Sequence, residues 1–148
     1  MSDIEEHLPV LKRYCLNRNA QKILELGVRN GESTRLFLEV CDITGGKLIS
    51  VDINDCSGVS KSERWQFIQA DDTELDFNEQ IDILFIDTSH EYMHTFMELS
   101  KFGDLVRKGG VIFLHDTFMP SVMKAIEDYL KKDHSEYSFV NLTNCNGL

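Results

Sequence analysis

The chain has 148 residues, 42% of them hydrophobic, enough for one domain with a packed core and too few for a second domain of ordinary size. Twenty-five acidic residues against 15 basic ones give a formal charge of -10, which repels a phosphate backbone and argues against a nucleic-acid partner. No run of about 18 apolar residues occurs, and the opening MSDIEEHLPV lacks the basic-then-apolar pattern of a secretory leader, so a cytoplasmic protein with no membrane partner is expected.

In chain order, Pro9 suits the first turn of an opening helix that runs to about Asn17. Short β-rich apolar runs then recur at Lys22–Leu26, Lys47–Val51, Trp65–Gln69, Ile81–Ile86, Val111–Leu114 and Tyr137–Leu142, each reading as a strand. Helical spacing lies between most of them: Leu36, Phe37 and Val40; then Phe96, Leu99, Phe102 and Val106; then Val122, Ile126, Tyr129 and Leu130. Gly109-Gly110 is expected to end the second of these patterns, and Pro120 to open the third. Asp71–Gln80 has almost no apolar periodicity and reads as a loop or a single turn. Strands alternating with crossover helices predict a doubly wound α/β domain around a mostly parallel sheet. Cys15, Cys41, Cys56 and Cys145 form no C-x-x-C pair and read as reduced, partly buried residues.

Ligands of open parallel sheets bind beyond the carboxyl ends of the strands, and here those ends are repeatedly acidic. Glu25 lies at the end of the first strand, Asp52 follows the second, Asp71 and Asp72 the third, Asp87 the fourth and Asp116 the fifth. Any one of these could be an ordinary turn or cap residue. The first strand runs into Glu25-Leu26-Gly27-Val28-Arg29-Asn30-Gly31, where Gly27 and Gly31 permit a tight turn onto a helix start with free N–H groups. Asp52, at the end of the next strand, can accept both hydroxyl protons of a ribose, so turn and acid together indicate an adenosine ligand.

The spacing E-x-G-x-x-x-G lacks the G-x-G-x-x-G of dinucleotide enzymes. With the segments ILELGVRNGEST, ISVDI, FIQAD, IDILFIDTSHEYMHTFMEL and GGVIFLHDT, the chain resembles the class I S-adenosylmethionine-dependent methyltransferases. Within them it looks like the small O-methyltransferase-like group related to sugar and macrolide methyltransferases and to cephalosporin-hydroxylase-type proteins. The resemblance spans roughly Ile23 to Tyr129 and implies a Rossmann-like methyltransferase fold, S-adenosylmethionine as cofactor, and methyl transfer to a hydroxyl of a small-molecule acceptor. It implies a cofactor loop of Glu25, Gly27 and Gly31, with Asn30 and Ser33 near the methionine end, although Ser33 also reads as satisfying its own helix start. Asp52 would hold the ribose, Asp71 the adenine amino group, with backbone contact from Ala70.

In this fold the fourth and fifth strands are neighbours, so Asp87 and Asp116 could converge, Asp87 bordering cofactor and acceptor alike. Two converging carboxylates repel unless a cation or a proton lies between them, and oxygen donors suit Mg²⁺, with Mn²⁺ as the alternative. Metal-dependent relatives carry an acidic pair where this chain has His115-Asp116, which leaves two carboxylates rather than three. His90, three residues past Asp87, is the candidate general base, imidazole titrating near neutral pH; alternatively it hydrogen-bonds to its own helix start or to Asp87. Glu91 and Tyr92 are expected to cap and pack the helix, His94 to be exposed, and His7 and His134 to have no functional role. Related enzymes continue into an antiparallel seventh strand where this sequence stops, at Asn144-Cys145-Asn146-Gly147-Leu148, so an incomplete sheet edge is expected, with an acceptor site left open or finished by a second subunit. Two other readings stay open: a degenerate S-adenosylmethionine-binding protein without catalysis, and an NAD-dependent oxidoreductase, which Asp52 would serve equally well.

Overall fold

Alternation along the strands sets the layers of the protein. In β1 (Lys22–Leu26) Ile23 faces one side and Leu24 and Leu26 the other, and each side gathers its own apolar cluster. The computed structural model describes residues 4–132 and 136–148. Its elements are α1 (Leu8–Asn17), β1, α2 (Glu32–Thr44), β2 (Lys47–Asp52), β3 (Trp65–Gln69), β4 (Ile81–Ile86), α3 (Tyr92–Phe102), β5 (Val106–Leu114) and α4 (Pro120–Leu130). The five strands pair in parallel in the order β3-β2-β1-β4-β5. This is the doubly wound Rossmann-like fold expected from the alternation.

Leu11 and Cys15 of α1 and Phe37, Val40 and Cys41 of α2 cover one face, packing on Ile23, Leu48, Ile83 and Phe85. On the other face Leu99 and Phe102 of α3 and Val122, Ile126 and Tyr129 of α4 meet Leu24, Ile49, Leu84 and Ile86. β4 is therefore buried throughout and β1 from Ile23 onward, as strands covered on both faces must be. Residues 71–80 hold only a turn. Cys15, Cys41 and Cys56 are buried and unbridged; burial pushes Cys15 up to about 12 and Cys41 to about 11, which keeps both as inert thiols. No helix among the described residues is long and apolar enough to cross a membrane.

Two expectations are corrected. Gly109-Gly110 does not end a helix: α3 stops at Phe102, a single 3-10 turn covers Gly103–Leu105, and Val106 opens a nine-residue strand. The glycines form an irregularity inside β5, where the register against β4 jumps from Ile81↔Val106 to Ile83↔Val111. Gly109 has φ +81, and a Cβ on Gly110 would stand 2.5 Å from the Asp82 carbonyl, so the pair reads as a bulge rather than a helix stop. Tyr137–Leu142 is not a strand either. Three successive left-handed residues, Cys145, Asn146 and Gly147, fold the chain back so that Leu142 and Leu148 exchange both backbone hydrogen bonds at 3.0 Å. That local closure satisfies groups a sixth strand would have offered to the sheet, and β5 is the outer strand on that side among the described residues.

Candidate active site

Backbone pairing continues just past the strands and aligns their carboxyl ends. Gly27 N–H donates to the Val51 carbonyl, Ala70 to Asp52, Asp87 to Leu26 and His115 to Ile86, all at 2.9–3.0 Å. The row of residues read as functional therefore lies along one rim, with the strand order reversing between β1 and β4.

Gly27 has φ +91, and a Cβ there would stand 2.0 Å from the Asp87 carbonyl oxygen. Only glycine fits this turn, and its bareness brings the first loop against the backbone of the fourth. Gly31 caps α2 in the left-handed region, and a Cβ on it would strike Val59 at 2.2 Å. Asn30 beside it is exposed.

Glu25 is fully buried beneath this loop. Its carboxylate accepts from Ser33 Oγ at 2.6 Å, Thr34 Oγ1 at 2.8 Å and Ser50 Oγ at 2.6 Å, and Trp65 Nε1 donates to Ser50 in turn at 2.8 Å. Burial pushes its pKa up to about 7 against the pull of those hydroxyls. Glu25 and Ser33 thus hold the loop after β1 from below. Asp52 is buried, with Oδ2 receiving Val28 N–H at 2.8 Å and Arg29 N–H at 3.1 Å and Oδ1 receiving Asn54 N–H at 2.8 Å. Burial alone would raise its pKa, but these backbone donors hold it below the usual carboxylate value. The Cys56 thiol is a fourth and weak donor to this carboxylate, the one that a stronger hydroxyl donor could displace. Asp71 is exposed, and its Oδ1 accepts from both the backbone N–H and the hydroxyl of Thr73, leaving Oδ2 for an amino group; Ala70 is half-buried.

At the reacting end Asp87, His90 and Asp116 converge, each offering a donor atom within 4.8 Å of the others. His90 Nε2 lies 2.7 Å from Asp116 Oδ2, so its partner is Asp116 and not Asp87. The backbone carbonyl of His90 accepts from Ser121 Oγ, which ties this loop to the start of α4. Glu91 occupies the N-cap position without a side-chain cap, while Tyr92 stacks on Phe96 and donates to Asp128 at 3.0 Å. Asp116 sits in the left-handed region at φ +58, a strained backbone for a non-glycine residue at a site of this kind. Phe118 is 77% exposed and, with Met119, gives the rim an apolar edge beside these polar groups.

His94 departs from the sequence reading, and His115 and His7 make contacts that it did not address. His115 is buried, with Nδ1 3.1 Å from Asp116 and 3.5 Å from Asp87. Burial works against its charged form, but the two carboxylates overcome that and push its pKa up to about 10. His7 is buried edge-on to the His115 ring at 5.7 Å and meets the Cys145 carbonyl at 3.2 Å, a structural role carried by residues too distant in sequence to be paired by spacing. His94 is half-buried beside Asp72 and Glu98; its i,i+4 spacing to Glu98 on one helix face was the available signal. His134 lies outside the described residues.

A family model described as a methyltransferase domain matches residues 24–117, 94 of the 148 residues and the stretch that carries every strand-end acid. The chain belongs to this methyltransferase-domain family. Among solved structures, the domain resembles the MycE methyltransferase from the mycinamycin biosynthetic pathway in complex with Mg and SAH, at 27% identity and TM-score 0.64 over 74% of this chain and 31% of that one. A caffeoyl-CoA O-methyltransferase-like protein from Staphylococcus aureus shares the fold at TM-score 0.76 and 16% identity, over 97% and 80% of the two chains. SAH-bound PaMTH1 of Podospora anserina shares it at TM-score 0.72 and 15% identity, over 95% and 75%. This methyltransferase domain spans about a third to a half of the length of the MycE chains it matches. No curated protein matches it at a significant level.

Proposed function

We propose that this chain, acting as a single cytoplasmic domain, transfers the methyl group of S-adenosylmethionine to a hydroxyl of a small-molecule acceptor. The observation that carries the reading is the contact of the Gly27 turn with the backbone of Asp87, which sets the glycine loop directly against the Asp87, His90 and Asp116 cluster. Gly27 and Gly31 set the course of the loop that borders the cofactor, Asp52 faces the ribose, and Ala70 and Asp71 flank the adenine. Asn30 lies near the methionine end of the ligand, and Glu25 and Ser33 hold the loop in shape. The acidic rim complements a sulfonium cation.

The methyl donor is already activated, so the protein supplies positioning and deprotonation. His90, oriented by Asp116, takes the acceptor proton; Asp87 borders donor and acceptor. The apolar edge at Phe118 and Met119 suits an acceptor with an apolar body. Asp87 and Asp116 offer a pair of oxygen donors that would suit Mg²⁺, with Mn²⁺ as the alternative, and would leave His90 free to act as the base. Such an ion would polarise the acceptor hydroxyl when bound. The -10 net charge argues against a nucleic-acid substrate, and a second copy of the chain would be the simplest way to enclose the open acceptor side.

Calorimetric titration with S-adenosylhomocysteine, S-adenosylmethionine and NAD tests the cofactor, followed by transfer assays over a panel of hydroxylated acceptors with and without Mn²⁺ and Mg²⁺. Asp52→Ala is expected to weaken S-adenosylhomocysteine at least about tenfold, near 1.4 kcal/mol, and unchanged affinity removes the ribose assignment. Heat with NAD alone would instead support the oxidoreductase, and cofactor binding without turnover a non-catalytic binding protein.

A further inference from the structure

A second cluster of donors stands apart from the rim. Asp72 in the turn after β3 and His94 and Glu98 one turn apart on α3 bring a carboxylate oxygen, an imidazole nitrogen and a second carboxylate oxygen within 4.8 Å of one another. His94 Nε2 lies 3.0 Å from Asp72 Oδ1 and 3.4 Å from Glu98 Oε1. Both are ion-pair distances, yet Asp72 Oδ1, His94 Nε2 and Glu98 Oε2 are left without a hydrogen bond of good geometry. Glu98 is completely buried and Asp72 nearly so, and buried polar atoms are paired in the great majority of cases. Thr88 donates to Glu98 Oε1 at 2.5 Å and holds that carboxylate in place. Lys101, the neighbouring cation, donates to the backbone carbonyls of Asp72 and Thr73 instead, at 3.2 and 2.8 Å.

The spacing is that of ligands around one ion. Donors about 2.1 Å from a common centre lie about 3.0 Å apart at a right angle and about 3.4 Å apart at the tetrahedral angle. We propose that Asp72, His94 and Glu98 form a binding site for one divalent transition ion of the Zn²⁺ type, with a fourth position open toward solvent past the half-exposed His94. One nitrogen and two carboxylate oxygens suit a borderline ion better than Ca²⁺ or Mg²⁺. The ion ties the turn after β3 to the middle of α3, two segments that no crossover helix joins, and so stiffens the wall between the β3 and β4 ends of the rim. The site does not depend on the methyl-transfer reading.

The test uses the whole chain stripped of metal with a chelator and titrated with Co²⁺ and Zn²⁺, following visible absorption, bound stoichiometry and melting temperature. Asp116→Asn, which removes a donor of the rim cluster, is expected to keep one ion at this site, as wild type does besides any ion at the rim, with the strong Co²⁺ bands of low coordination and a raised melting temperature. His94→Gln is expected to lose at least about 10–100-fold in affinity. Glu98→Gln, at a fully buried position, would do the same if it folds; His94 is partly exposed, so its variant decides the matter once circular dichroism shows the fold retained. No ion bound by wild type, or an ion kept by His94→Gln and lost by Asp116→Asn, overturns the site.

Discussion

At the scale of single residues, the rim divides into groups that would meet ligands and groups that hold them in place. His90, paired with Asp116 at 2.7 Å, has the reach of a base, and general-base catalysis contributes about 10²–10⁴-fold. His90→Asn is therefore expected to lower kcat by that factor with the S-adenosylhomocysteine affinity almost unchanged; a full-speed variant retires His90 as the base. Glu25 is a buried acid facing Ser33, Thr34 and Ser50, with Asp87 as the nearest like charge, and its pKa is pushed up to about 7. The folded value lies above the ordinary 4.5, so the proton it binds stabilises the fold fully below pH 4.5, and that contribution is lost as pH rises to about 7. Glu25→Gln should remove this part of the pH dependence, seen as a flatter melting-temperature profile than wild type over that window. The row of strand-end acids was legible in the sequence because each follows an apolar run. The holding network was not, because Ser33, Thr34, Ser50 and Trp65 reach Glu25 from three different elements, and His115 meets its carboxylates only once β4 and β5 are side by side.

At the scale of elements, Pro9 located the first of the four helices among the described residues, helical spacing the other three, and short apolar runs the first four strands. It failed where backbone chemistry outweighs pattern. Val106 fits the helical spacing of α3, yet it pairs with Ile81 at the start of β5, and Gly109-Gly110 lets that strand slip its register and continue. Asp82 stabilises the slip: it accepts from Gln21 and Lys22 backbone N–H at 2.5 and 2.8 Å and pairs with Arg107. A Cβ at residue 110 would meet the Asp82 carbonyl at 2.5 Å and Val106 Cγ1 at 2.6 Å. Gly110→Ala should cost about 1–3 kcal/mol of stability in chemical denaturation, with cofactor affinity preserved because the bulge lies at the opposite end of the strand from the rim. An unaffected denaturation midpoint would contradict the bulge.

At the scale of the whole molecule, two apolar layers close on one sheet, and the ligand rim is built from the ends of the strands those layers clamp. Binding there should be felt by the fold as a unit. A ligand at 100 times its dissociation constant adds about 2.7 kcal/mol, or roughly 5–11 °C for a chain of this length. S-adenosylhomocysteine is expected to shift a single melting transition by that amount and NAD to leave it in place; a shift with NAD alone would redirect the cofactor assignment. The fold class was legible because alternating strands and helices admit few arrangements. The outer edge was not, because the turn at Cys145, Asn146 and Gly147 pulls Leu142 toward Leu148 and away from β5.

The seam between Gly27 and the main chain of Asp87 also limits how such a domain can be adapted. Since no side chain separates the two loops, that seam tolerates little variation, and on the proposed reading acceptor preference falls to the segments that follow, residues 88–91 and 117–119. Grafting those two stretches from another family member should transplant acceptor choice onto an otherwise untouched scaffold.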